Sequence, residues 1–155
     1  MEAESNMGNF QRKGATDNTT VGRRFEKKVE RCLVKSGFKP VAGFPLAIGT
    51  GAVKKNHRFD FGDESNKTII ECKAHTWTES GNVPSAKMTT WDQAMYFFFL
   101  ASNGYRKMLV VQLDRNTRRN QTLGEYYINT KPHLIPSGVE IWEYNEKSGK
   151  ATKIW

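Results

Sequence analysis

A chain of 155 residues is long enough to bury a core and too short for two comfortable domains, so one fold should carry the function. Lys and Arg number 24 against 16 Asp and Glu, giving a net charge of +8 and a pI near 9.6, which favours a polyanionic partner such as nucleic acid. Two cysteines form no disulfide framework or zinc pattern, and there is no long apolar span, so the reading is a cytoplasmic protein with reduced thiols and no membrane segment.

Residues 1–20 are rich in Asn, Gly, Ser and Thr without a sustained apolar period, which predicts a flexible arm that is foremost a frayed terminus, with DNA contact through Arg12 and Lys13 as the alternative. A single domain then spans residues 21–155. Val21, Phe25, Val29, Cys32 and Leu33 follow helical spacing, and Gly37 is a C-terminal stop. The opposite face carries Arg23, Arg24, Lys27, Lys28, Arg31 and Lys35, a stripe suited to a phosphate backbone or to plain solvent exposure. Glu26 and Glu30 interrupt it at a spacing of i, i+4. Residues 39–48, broken by Pro40, Gly43 and Pro45, predict an irregular or edge strand.

The stretch HRFDFGDESNKTIIECK, residues 57–73, predicts strands over 58–61 and 68–73 joined by a polar turn. A period of two puts Glu71 and Lys73 on one face of the second strand, with Ile70 and Cys72 on the other. Antiparallel pairing brings Asp60 close to Glu71, because directly opposed Cβ atoms lie roughly 5 Å apart. Two ionised carboxylates at that distance repel unless a cation sits between them, and a hard divalent ion, above all Mg²⁺, suits oxygen ligands. The alternative is an ordinary hairpin with solvated charges.

Phe59-Asp60, ten intervening residues and then Glu71-Cys72-Lys73 resemble the signature of the PD-(D/E)xK nuclease superfamily, with Phe59 in place of the nominal proline. Gly22, Glu26, Leu33, Gly37 and Phe38 are similar to the opening helix of archaeal Holliday-junction resolvases of that superfamily. The resemblance covers roughly residues 21–113. It implies an α/β, restriction-endonuclease-like fold with a central mixed sheet flanked by helices. It also implies Asp60, Glu71 and Glu26 at a Mg²⁺ site that Mn²⁺ also fills, with Lys73 positioning the attacking water. Glu30 is the weaker choice for the helical acid. Gln93 resembles a helical glutamine of some of these nucleases, although the tyrosine expected four residues later is Phe97. A 5′-phosphate product and a homodimer follow from the same likeness.

Further along, Lys54, Lys55 and His57 are expected phosphate contacts, with His57 and His75 also considered as general bases. The polar loop 74–85 presents Trp77 either to a base or as a lid on the core, and Lys87 joins the DNA contacts. A helix is predicted from Thr89 or Thr90 to Ser102 and a buried strand over 107–113. Arg115, Arg118 and Arg119 lie in a basic loop suited to DNA, residues 125–128 read as a strand, and the tail as a hairpin. The expected function is a metal-dependent DNA endonuclease, foremost a small type II restriction enzyme. A junction resolvase or repair nuclease is the alternative within the class, and a non-catalytic basic DNA-binding protein the alternative outside it.

Overall fold

The computed structural model describes the backbone of residues 8–155 and the side chains from residue 18 onward. Among the described residues, a six-stranded mixed sheet and three α-helices form an α/β fold. Helix α1 (Gly8–Lys35) precedes the strands β1 (Val41–Ile48), β2 (Lys55–Asp63) and β3 (Thr68–Lys73). Helix α2 (Ser85–Leu100) crosses to β4 (Arg106–Gln112); the two-residue strands β5 (Arg115–Asn116) and β6 (Gln121–Thr122) lead into α3 (Leu123–Thr130), then β7 (Val139–Asn145) and β8 (Lys150–Lys153). The sheet order is β1-β2-β3-β4-β7-β8, with β3, β4 and β7 mutually parallel and the other neighbours antiparallel. No helix among the described residues is long and apolar enough to cross a membrane.

The helices cover both faces of the sheet. On one side Phe25, Val29 and Leu33 of α1 pack on Ile70, Cys72, Met108 and Val110. On the other, Met88, Trp91, Met95 and Phe98 of α2 and Leu123 and Tyr127 of α3 pack on Ile69, Leu109, Val111 and Ile141. The alternation along β3 and β4 therefore assigns each residue to one core, as a strand buried on both faces requires. Gly37 ends α1 at φ +90, where the Phe38 N–H donates to Leu33 O at 3.0 Å and the Gly37 N–H to Val34 O at 3.1 Å. This left-handed closing turn tucks Phe38 against the core beside Leu33.

Several elements differ from the sequence reading. α1 begins at Gly8 rather than near Val21, so the backbone from 8 to 20 is helical, not an arm. Val21, at the start of the apolar period, is 53% exposed, and the buried face begins at Phe25. The side chains of Arg12 and Lys13 lie outside the described residues. α2 starts at Ser85, four residues before Thr89: Pro84 occupies the N-cap, and the Thr89 and Thr90 hydroxyls donate back to Ala86 O and Lys87 O, both at 2.7 Å. The helix ends at Leu100, short of the Asn103-Gly104 expected to close it.

Residues 125–128 are helix, not strand. Thr122 accepts from the Glu125 N–H at 3.0 Å while the Glu125 carboxylate accepts from the Thr122 N–H at 2.8 Å, a capping box that starts α3. β1, at the sheet edge with Pro45 within it, β3 at 68–73 and the closing hairpin stand where the sequence predicts them, while β2 runs from 55 to 63, longer at both ends than the predicted 58–61.

Candidate active site

The site is built on an interruption in β2. Residues two apart on a regular strand share a face. Phe59 nevertheless packs in the α2 core, stacked on Phe98 at 5.9 Å, and Phe61 in the α1 core. The pleat is broken at Asp60. Across the ladder, Phe44↔Phe59 and Ala42↔Phe61 pair in constant register, and the intervening Gly43 adopts φ +62, a left-handed conformation that glycine tolerates best. On the other side the β2–β3 ladder runs from Asp63↔Thr68 to Phe61↔Ile70. At the next position the Asp60 side chain takes over, its Oδ2 accepting the Cys72 backbone N–H at 2.7 Å.

That bond holds Asp60 against β3 beside Glu71. Glu71 shares its face with Ile69 and is 6% exposed. Burial, then the neighbouring Asp60 carboxylate, pushes its carboxyl well above the usual range; Lys73 acts in the opposite direction and Glu26 adds to the rise. Glu26 reaches the same place from α1: its own carboxyl is raised by burial and by Asp60, and drawn down by Arg23 and Lys73. Asp60, Glu71, Lys73 and Glu26 thus form one electrostatic cluster at the broken end of the hairpin.

No protein-family model, curated protein or solved structure matches this chain. The chemistry of the cluster must be argued from its own residues.

His57 belongs to the cluster rather than to a phosphate-facing surface. Its Nε2 lies 2.9 Å from Glu71 Oε1, and its ring stacks on Phe97 at 4.0 Å and meets the edge of Phe59 at 4.6 Å. Burial lowers its pKa, so the neutral ring is favoured. His75 is a structural acceptor: the Trp91 indole N–H donates to its Nδ1 at 2.9 Å, and burial, Lys73 and Lys87 lower its pKa to about 4. Its electrostatic coupling to both lysines puts Lys87 on the α2 side of the same region.

Trp77 is a core residue, not a base-stacking one. It is 8% exposed, its backbone N–H donates to Asp114 Oδ2 at 2.8 Å and its indole N–H to Asp114 O at 3.0 Å. Arg119 lies over that ring at 5.1 Å, so it helps cover Trp77. Arg115 bonds Asn120 Oδ1 at 2.6 Å and stands 4.0 Å from Glu125, while Arg118 is exposed. Lys54 and Lys55 are exposed at the turn into β2, with Lys54 Nζ 3.5 Å from Gly49 O. Glu30 is half-buried one turn beyond Glu26; Gln93 is exposed on α2, one turn before the Phe97 that stacks on His57.

Two acids have roles that the sequence reading missed. Asp114 anchors the loop after β3 through Trp77. Asp63 closes the β2–β3 turn, accepting from Lys39 N, Ser65 Oγ and Asn66, and these bonds hold its carboxyl far below the usual range. An Asp just before a Ser-Asn turn, capable of accepting from the following backbone, is the signal that identifies it.

Proposed function

We propose that the protein is a metal-dependent DNA endonuclease of the restriction-endonuclease-like fold in the PD-(D/E)xK superfamily. The observation that carries this reading is the gathering of Asp60, Glu71 and Lys73 at the broken end of one hairpin, with Glu26 supplied by α1. The order α1-β1-β2-β3-α2-β4 over the region of resemblance is the order that this fold requires.

The donor set is chemically suited to Mg²⁺, or to Mn²⁺ in its place. Asp60 and Glu71 offer carboxylate oxygens; burial first and the Asp60 carboxylate second raise the Glu71 carboxyl, and a divalent cation would offset both. Among the described residues no group of three or more His, Cys, Asp or Glu is gathered as a ligand set. On this reading Asp60 and Glu71 are the direct ligands, with Glu26 acting through water. When bound, the ion supplies Lewis acidity and a more acidic water. Lys73, on the same strand face as Glu71, holds the attacking water and counters charge on the scissile phosphate. Asp60 is fixed by the Cys72 N–H and Glu71 by His57, so both carboxylates are oriented before substrate arrives.

The functional class reads foremost as a small type II restriction enzyme acting as a homodimer, since two strands need two sites related by a two-fold axis. The similarity of α1 to junction resolvases keeps that activity as the second reading. The test is incubation of linear phage DNA, supercoiled plasmid and synthetic four-way junctions with Mg²⁺ or EDTA, beside Glu71→Ala. Discrete linear fragments that vanish in the variant are expected; symmetric nicks confined to the junction would make it a resolvase. DNA binding without any cleavage would return the chain to the binding-protein class.

A further inference from the structure

The parallel strands β3, β4 and β7 end at the same edge of the sheet, and in open α/β sheets the crevice beyond such carboxyl ends is where ligands bind. Here that crevice is an open cleft of about 730 Å³ between α1 and the segments that follow the three strands. It begins beside the acid cluster: Ala74, which follows Lys73, and Phe25, which precedes Glu26, both line it. Along its walls stand Arg24 and Lys28 from α1, Arg115 after β4, and Lys147 after β7.

Two acids also line the cleft, and both are engaged. Asp114 accepts the Trp77 N–H, and Glu146 is paired with Lys28 across the gap between α1 and the β7–β8 turn. Arg118 does not line it, and Arg119 is committed to the Trp77 ring.

We propose that this cleft is the track by which the phosphate backbone of duplex DNA runs away from the acid cluster, with Arg24, Lys28, Arg115 and Lys147 as its phosphate contacts. The proposal rests on the nuclease reading for its choice of DNA. It assigns the path of the substrate to the α1 side of the sheet ends and not to the arginine loop 115–119 as a whole. It also gives the Lys28–Glu146 pair a role: Glu146 is a competitor that the phosphate must displace.

The test is binding of a fluorescein-labelled DNA duplex in EDTA, followed by anisotropy over a series of salt concentrations. Each lost phosphate contact should reduce the slope of log K against log salt by about 0.9. Arg24→Ala and Lys147→Ala should each show that reduction, and Arg118→Ala should not. Glu146→Gln, which frees Lys28, should tighten binding roughly two- to fivefold at low salt, a gain that a folding defect does not produce.

Wild-type slopes in both Arg24→Ala and Lys147→Ala would overturn the proposal, as would weaker binding by Glu146→Gln or no duplex binding by the unaltered protein. Cleavage of the same duplex in Mg²⁺ is scored separately. If the slopes change as expected but nothing is cut, the cleft stands and the nuclease reading falls.

Discussion

His57 Nε2 and Glu71 Oε1 are 2.9 Å apart, and the histidine ring that makes this contact is clamped between Phe97 and Phe59. The contact orients the Glu71 carboxyl beside Asp60, as the proposed metal site requires. His57→Ala should therefore weaken Mn²⁺ binding and slow cleavage, each by roughly 10- to 100-fold, as loss of a partner behind a metal ligand commonly does. His57→Gln, which retains a donor, should recover part of both. Calorimetric Mn²⁺ titration beside single-turnover cleavage checks this, and unchanged Mn²⁺ affinity in His57→Ala would refute it.

Glu71 also sets a pH dependence of stability. Its carboxyl is raised in the folded protein above the ordinary value of 4.5, so above that pH the folded state holds a proton that the unfolded state has released. Stability is lost as pH rises through this window. Glu71→Gln removes the titration, so in EDTA the variant should melt above the wild type at pH 8, with the gap shrinking toward pH 4. A gain of about 2 kcal/mol corresponds to roughly 4–8 °C for a chain of this size. Mg²⁺ should narrow the gap by stabilising the wild type alone.

Lys73→Met should reduce cleavage by about 10²- to 10⁴-fold while leaving duplex binding in EDTA nearly intact, the range expected when a group that positions or activates the attacking water is removed. Glu26→Gln should cost less, because its carboxylate acts through water. Single-turnover rates for the two variants give the ranking. A Glu26→Gln defect larger than that of Lys73→Met would place the helical acid in direct contact with the ion.

Trp77→Phe should be a stability variant and not a binding one. It loses the indole N–H bond to Asp114 O, which keeps the Leu123 N–H, so the cost should be about 0.5–1.5 kcal/mol. Urea denaturation should shift accordingly, and the salt slope of DNA binding should stay at its wild-type value. A changed slope with unchanged stability would restore Trp77 to the DNA surface.

Gly62→Ala tests the packing beside the site. A Cβ there would lie 2.1 Å from Phe44 Cγ, so the ring must leave its place over β2. Overpacking of this kind costs about 1–3 kcal/mol. The urea midpoint should fall without a change in m-value.

The strand carrying Glu71 and Lys73 was legible from its run of Thr and Ile bounded by turn residues, and β3 occupies the predicted residues, whereas the break at Asp60 that sends Phe59 and Phe61 to opposite faces was not. Glu26 was legible through helical phase. Three other features were not. His57 carries no local sign of its partner, since the contact with Glu71 depends on a pairing formed across the turn. Trp77 sits among polar residues that read as an exposed loop, and only Asp114, distant in sequence, draws it inward. The capping box Thr122-Leu123-Gly124-Glu125 was legible in principle, but the aromatic and β-branched residues that follow it carry strand propensity, and the cap outweighs them.

The broken pleat at Asp60 makes assembly of the acid cluster and correct strand register the same event. Slide β2 by one residue against β3 and Phe61 leaves its core, Asp60 loses the Cys72 N–H, and Glu71 loses its neighbour at once. A chain caught in that slipped arrangement still carries every acid and lysine of the cluster, yet the cluster is not assembled. On the nuclease reading proposed above, a newly made or damaged copy would be unable to attack a phosphodiester until its hairpin is in register.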